Sequence, residues 1–447
     1  MRNFDVLSVL STAVGFRSLC RTAQTWIGRV VSLRGVSLAI LCFFLLCFLA
    51  LQGCAGLAVS QAKLMADGRQ PAELPMTFRT LGPDHRFSEL SSVVVADQLR
   101  ARRSGEPLSI LALSGGGAGS AFGAGAVAGL TRTGARPTFD VVTGVSAGAL
   151  VAPYAFLGPT WDAQLIEAFT GLVEDKLLQS RGLGVIFGSS LYSGRPLQQL
   201  IDTHVSEDMI LAVAREAEKG RLLLVATTDV ASGQSVVWDL GAIAKNGGPS
   251  ARALFRDVLV ASASVPGMFP PVIIRVNEDG LAHDQAHVDG AATVPFFVPP
   301  AFLQTTPTTL GAHHTSVFVI VDGSLGEAAR TTRLTARAIL LRSIHLGLSH
   351  LMLTTMQLTA ATAQLDGADL QYSSLPTGYP LTDSFDFSAT IRRPLFRYAY
   401  ECAKAGRLWT AYPRADNDND ESRSMVRTQH GPPCPADDPF FGYFATR

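Results

Sequence analysis

Apolar residues fall in short runs separated by glycine and polar turns. Residues 108–113 (LSILAL), 139–143 (FDVVT), 222–227 (LLLVAT), 235–238, 272–276 and 316–321 (SVFVIV) are such runs. Brief apolar stretches bounded by turn residues predict buried strands. Between them, residues 121–131, 147–156, 251–261 and 333–364 carry longer, helix-compatible patterns. The last is either one long helix or a helix broken at Gly347. Strands alternating with helices predict an α/β fold with a mostly parallel central sheet and helices on both faces. Residues 384–391 (SFDFSATI) alternate polar and apolar, which predicts a half-exposed strand, and residues 396–411 suit a closing helix.

The most continuous apolar run lies outside this region, at residues 38–51 (LAILCFFLLCFLAL). It is shorter than the roughly 20 residues that a membrane-spanning helix needs. Arg29 and Arg34 precede it and small residues follow, which is the order of a secretory signal. The sequence Leu51-Gln52-Gly53-Cys54 then resembles the lipobox of bacterial lipoproteins, in which the cysteine carries lipid and becomes the first mature residue. An uncleaved anchor helix is the alternative. The lipobox reading predicts a signal peptide over 1–53, and a linker and peripheral lead-in over 54–107. A compact core follows over 108–325, and a helical and tail extension packed on the core over 326–447. It also predicts a bacterial cell-envelope location, at the outer membrane and facing the periplasm or the surface, with Cys54 as the lipid anchor. Residue 55 is alanine, so nothing here resembles an inner-membrane retention signal.

Composition narrows the function classes. Lys plus Arg and Asp plus Glu number 37 each, so no basic balance points to nucleic acid. Apolar residues make up 47% of the chain and charged residues 17%, enough for a large core. Of the six cysteines, Cys402 and Cys434 lie beyond the signal and Cys54, where a disulfide in an oxidising compartment or two separate thiols are both consistent. No cysteine spacing suggests zinc. Asp416, Asp418 and Asp420 loosely follow a calcium-loop pattern, but Glu421 and Arg427 stand where that loop needs glycine and glutamate, so a solvated loop is expected. No cofactor and no metal are predicted.

Three segments carry candidate chemistry. Gly144-Val145-Ser146-Ala147-Gly148 fits G-x-S-x-G between an apolar strand and a helix. Small neighbours permit the tight turn that lifts a serine hydroxyl clear of the sheet, although an ordinary Gly-Ser turn has the same letters. Upstream, Gly115-Gly116-Gly117 also join a strand to a helix. Consecutive glycines let amides converge on an oxyanion, each such donor contributing about 3 kcal/mol to lowering a barrier. A dinucleotide loop is disfavoured, because Ser120 fills the third glycine position and Asp140 opens the next strand instead of ending it. Downstream, Asp289-Gly290-Ala291 offers a carboxylate that, if desolvated, could take the proton of a serine. Asp279, Asp322 and Asp366 also precede glycine, and Asp322 is the strongest rival because it ends an apolar strand.

The order GGG loop, GVSAG, DGA resembles the patatin-like phospholipase family. So do the stretches LALSGGGAGSAFGAGAVAGL, FDVVTGVSAGAL, LVASASVPGMFPPV and HVDGAAT, and the likeness covers roughly residues 108–325. The resemblance implies a three-layer sandwich. It implies Ser146 as nucleophile, Asp289 as its base in place of a Ser-His-Asp triad, and the amides of Gly115, Gly116 and Gly117 as oxyanion hole. It selects Asp289 over Asp322, because only Asp289 is followed by Gly290-Ala291. The implied activity is hydrolysis of a lipid acyl ester, of the phospholipase A or lysophospholipase type, through an acyl-enzyme. One departure stands out: Gly119 and Ser120 occupy places where the family has a cation and then a glycine. Two other readings are an α/β-hydrolase triad drawing on His287, His345, His350 or His430, and a non-catalytic surface lipoprotein. Lipid substrate and membrane are the expected partners, and the oligomeric state is left open.

Overall fold

The computed structural model describes residues 76–81, 87–103, 108–171, 189–278, 281–303, 315–326, 331–377, 379 and 384–412. The signal, the lipobox with Cys54, Cys434, His430, Asp279 and the 414–423 acidic run lie outside the described residues. The strands are β1 (Met76–Leu81), β2 (Phe87–Leu90), β3 (Ser109–Leu113), β4 (Val141–Val145), β5 (Leu222–Asp229), β6 (Ser235–Asp239), β7 (Val272–Glu278), β8 (Leu281–Asp289), β9 (Ser316–Val321), β10 (Asp369–Ser374) and β11 (Thr410–Ala411). The helices are α1 (Ser92–Arg103), α2 (Ser120–Arg132), α3 (Ala147–Leu157), α4 (Asp162–Thr170), α5 (Arg195–His204), α6 (Glu207–Glu218), α7 (Leu240–Lys245), α8 (Gly248–Ser262), α9 (Pro300–Leu303), α10 (Ala336–Leu365) and α11 (Ala389–Lys404).

One sheet runs in the order β11-β10-β9-β3-β4-β5-β6-β1-β2, with β8 paired to β5 and β7 to β8. Strands β10, β9, β3, β4 and β5 are mutually parallel. Their side chains alternate between two cores. Leu111, Leu113, Val142, Leu223, Val225 and Ile320 face one. Ile110, Ala112, Val141, Val145, Leu224 and Val319 face the other. Both faces of β3, β4 and β5 are dry, which is why these strands read as continuous apolar runs instead of alternating ones. The fold is thus mixed α/β, with a mostly parallel sheet between helical layers.

Two sequence expectations change, and one open alternative is decided. Residues 76–103, expected as lead-in, supply β1, β2 and α1, and β1 lies parallel to β6 within the same sheet. The long helix is unbroken through Gly347 and runs for 30 residues. Residues 384–391 do not form a strand: they are a loop entering α11, and the fifth parallel strand is β10. Eight alternating residues satisfy the strand period, but the Ser384 carbonyl is occupied by the Ala118 amide and residues 389–391 are already the first turn of α11.

Helix α11 packs along α2, where small residues allow close approach. A Cβ on Gly125 would meet the carbonyl oxygen of Phe396, and one on Gly129 would fall 2.7 Å from Ala403 Cβ. Gly125→Val should therefore destabilise the protein by at least about 2 kcal/mol through overpacking, against the better helix propensity of valine. Urea unfolding followed by circular dichroism measures this. An unchanged midpoint would show that the two helices are not in contact here.

Candidate active site

The parallel strands β3, β4 and β9 end together, since Leu113 stands in register with both Gly144 and Ile320. The Ser114–Gly117 loop, Ser146 and Asp322 are thereby gathered along one edge of the sheet. Ser146 joins β4 to α3 with φ 55° and ψ −131°, and it is the one non-glycine residue with positive φ among those described. Such a conformation costs about 1–3 kcal/mol and persists only where the surroundings enforce it. Here the glycines on either side make the turn possible. A Cβ on Gly144 would lie 2.7 Å from Ala149 Cα, and one on Gly148 would lie 2.8 Å from the Leu113 carbonyl carbon. Val145 and Ala147 complete the turn, both buried.

The Ser146 hydroxyl donates to Asp289 Oδ2 at 2.6 Å. Oδ1 of the same carboxylate accepts the Ala291 amide at 2.8 Å, within the short 3-10 turn that begins at Gly290. Asp289 ends β8, and its own amide donates to the Ser264 carbonyl. The carboxyl is 2% exposed. Burial pushes its pKa up from 3.8 to about 7, while the Ser146 and Ala291 bonds pull it part of the way back. Charged Asp289 is therefore a far stronger base than an ordinary surface carboxylate.

Asp322, the rival, has a different setting. Its Oδ1 accepts the Gly123 amide at 3.0 Å, and its Oδ2 meets no partner. Burial drives its pKa well up. It lies behind the glycine loop, where a Cβ on Gly116 would fall 2.6 Å from Asp322 Cβ. Asp366 caps the C-terminal end of α10, away from the site.

The glycine loop requires one correction. Gly115 does not offer its amide to an oxyanion, because that N–H donates to the Pro295 carbonyl at 2.9 Å. The role of Gly115 is steric: a Cβ there would lie 2.9 Å from Ser146 Cβ. Among the described residues, the amides of Gly116 and Gly117 meet no protein acceptor. Gly117 takes φ 58°, and the Ser120 hydroxyl closes the loop onto its carbonyl at 2.8 Å.

Histidine does not enter the constellation among the described residues. His287 is buried between Thr227 Oγ1 at 3.0 Å and the edge of Trp238, and burial lowers its pKa to about 4. It braces β8 against β5. His345 and His350 lie on α10.

Sequence reasoning missed the residues that brace the dyad from behind. Ser262, the last residue of α8, accepts the Ser146 amide at 2.9 Å and donates to the Ala226 carbonyl at 2.7 Å. Thr228 donates to the Asp289 carbonyl. The stretch LVASASVPG contains Ser262 and Ser264, so its family likeness held the only sequence signal for them. Beside the nucleophile, Ala147 and Ser120 border an apolar cavity of about 90 Å³ whose walls include Leu150, Phe169, Leu197 and Met209. A separate cavity of about 640 Å³, walled by Arg79, Gln98, Arg221 and Lys245, contains none of these site residues.

Because folding holds the Asp289 carboxyl above its unfolded value of 3.8, it favours the fold while protonated. That contribution is complete below about pH 4 and is lost as pH rises through about 7. Asp289→Asn stays neutral throughout, so its stability relative to wild type should rise between pH 4 and 8.5, by up to about 4 kcal/mol. Denaturant titrations of both proteins at the two pH values measure the difference. A gap that does not change with pH would show that the carboxyl is not perturbed.

The model of the family described as patatin-like phospholipase matches residues 111–302, which contain Ser146, Asp289 and the whole glycine loop. No curated protein matches the chain. Among solved structures, the crystal structure of VipD from Legionella pneumophila is remotely similar, at 11% identity and a TM-score of 0.31 over 79% of this chain and 74% of that one. Residues 111–302 are thus the part of the chain that matches the patatin-like phospholipase family as a domain.

Proposed function

We propose that the protein cleaves acyl esters of phospholipids or lysophospholipids through a Ser146-Asp289 dyad. The match of residues 111–302 to the patatin-like phospholipase family supports lipid acyl hydrolysis in general. The observation that carries the finer reading is the 2.6 Å bond from the Ser146 hydroxyl to a carboxylate whose burial raises its pKa to about 7. A serine hydroxyl is a poor nucleophile until a base in hydrogen-bond reach takes its proton. Asp289 accepts that proton as Ser146 Oγ bonds to the ester carbonyl carbon. The carbonyl oxygen, now anionic, is met by the amides of Gly116 and Gly117. Asp289 then returns the proton to the departing alcohol, and the acyl chain stays on Ser146. Water attacks the acyl-enzyme with Asp289 again as base, releasing the fatty acid and restoring the serine. The cavity beside Ala147 suits an acyl chain, being lined mainly by aliphatic and aromatic side chains. The backbone donors make this stabilisation independent of the cation that Gly119 and Ser120 replace.

Ser146→Ala and Asp289→Asn should each lower hydrolysis of a fatty acyl chromogenic ester by about a thousandfold or more in folded protein. Retained turnover in either would refute the dyad. The logarithm of kcat/KM for wild type should rise with pH through about 7 and level off above it, as the free carboxylate forms. A flat profile from pH 5 to 9 would exclude Asp289 as the base.

The tethering reading is also proposed, on the basic-apolar-small order before Cys54. Cells fed labelled palmitate should incorporate it into the wild-type chain and not into Cys54→Ser. Equal labelling of the two would leave the uncleaved anchor helix as the explanation.

A further inference from the structure

Asp322 is a buried acid that the proposed mechanism does not use. Its side chain is wholly enclosed, and its Oδ2 meets no partner. Buried polar atoms are normally satisfied, so an unmet carboxyl oxygen beside a candidate active site calls for an account of what the residue does. Its position supplies one. Strands β9 and β3 are parallel neighbours with Ile320 opposite Leu113. Asp322 therefore follows the end of β9 where the glycine loop follows the end of β3.

The residue and the loop meet at three points. At the loop's entrance, the Asp322 amide donates to the Ser114 hydroxyl at 2.9 Å. At its exit, Asp322 Oδ1 accepts the Gly123 amide at 3.0 Å, in the opening turn of α2. Between them Gly116 lies close against Asp322: a Cβ there would collide with the Asp322 carbonyl oxygen and fall 2.6 Å from its Cβ. The amides of Gly116 and Gly117, the oxyanion donors of the proposed mechanism, thus belong to a loop gripped at both ends by one residue. Glycine restricts its own backbone little, so the aim of these amides has to be set from outside. That aim matters, because an oxyanion donor works only over about 2.7–3.1 Å. Pro295 and Ser384 also hold the loop, at Gly115 and Ala118, but with backbone carbonyls that any residue could supply. The grip on Gly123 needs a particular side chain. Burial raises the pKa of that side chain well above its ordinary value, which favours the neutral acid. A neutral group behind the loop does not oppose an anion forming in front of it.

We propose that Asp322 is a positioning residue for the oxyanion loop: by holding Ser114 and Gly123 together, it keeps the Gly116 and Gly117 amides aimed at the ester carbonyl oxygen. The proposal rests on the acyl-ester reading for its purpose, but the grip itself is measurable without catalysis. Wild type, Asp322→Ala and Asp322→Asn are compared on a fatty acyl chromogenic ester. Rates are expressed per Ser146 titrated by a fluorophosphonate, with labelling taken to completion. Asp322→Ala loses the acceptor for Gly123 and should lower kcat by about tenfold or more, with KM within about twofold of wild type. That split marks an interaction made in the transition state and not in the ground state. Asp322→Asn keeps an oxygen at the Oδ1 position and should rescue kcat to within about threefold of wild type.

A role confined to stability would lower the melting temperature and the titrated fraction while leaving kcat per titrated serine unchanged, and that result overturns the proposal. So does an Asp322→Asn variant as slow as Asp322→Ala, since the acceptor would then not be what matters. If Asp322→Ala does not fold, Ser114→Ala takes its place. It removes the acceptor for the Asp322 amide and should lower kcat at constant KM by about threefold or more, and a wild-type kcat there overturns the proposal. Amide hydrogen exchange across residues 114–123 separates the grip from the reading it rests on. Exchange should be about tenfold faster in the alanine variant than in wild type and Asp322→Asn. Equal exchange in all three overturns the proposal. Faster exchange in a protein that hydrolyses no ester supports the grip and refutes only the acyl-ester reading.

Discussion

The backbone turn at Ser146 is the constraint on which the site depends. A side chain at positive φ is held there because β4, α3, the glycine loop and the end of α8 all converge on one residue. Its amide is fixed by Ser262 and its hydroxyl by Asp289, so both polar groups of the residue are committed before any substrate arrives. Ser262 also bonds the Ala226 carbonyl of β5, and β5 pairs with β8, which carries Asp289. Ser146 and Asp289 are therefore tied to the same strand by short polar links. The strain of the turn is balanced by the sheet and not by the loop itself.

What the sequence disclosed follows from which features are local. The strand–turn–helix at GVSAG, the triple glycine and the Asp-Gly-Ala segment each announce themselves within a few residues, and the central strands are buried on both faces. The five-stranded parallel centre was legible except for β10, whose DLQYSS carries little apolar signal because it lies near the edge of the sheet. β1 and β2 were hidden for a similar reason. They sit at the other edge, among prolines, and Arg79 is buried there on a glutamine and a glutamate.

Non-local features were out of reach. The amide of Gly115 looks the same as those of its neighbours in sequence, and only the path of residue Pro295 shows that it is consumed. The contrast between Asp289 and Asp322 is similar. Both stand at strand ends and both are buried, but one finds a serine hydroxyl at its second oxygen and the other finds nothing. The family likeness separated them in the sequence, and in the structure the distance to Ser146 does so.

The absence of histidine from the constellation has a physical consequence. An imidazole is a base near neutrality by its own chemistry, whereas a carboxylate becomes one only when water is kept away. With a pKa raised to about 7, Asp289 reaches the range of an ordinary imidazole, and burial is the whole cause of the rise. In the proposed mechanism its basicity is thus a property of the dryness of the catalytic edge, not of the residue. An acyl chain filling the cavity beside Ala147 would exclude water from that edge. Such a substrate would then strengthen the base that acts on it, and the same carboxylate in a wetted site would be too weak to activate Ser146. A dyad of this kind is suited to an apolar substrate, because the substrate supplies the condition on which its chemistry depends.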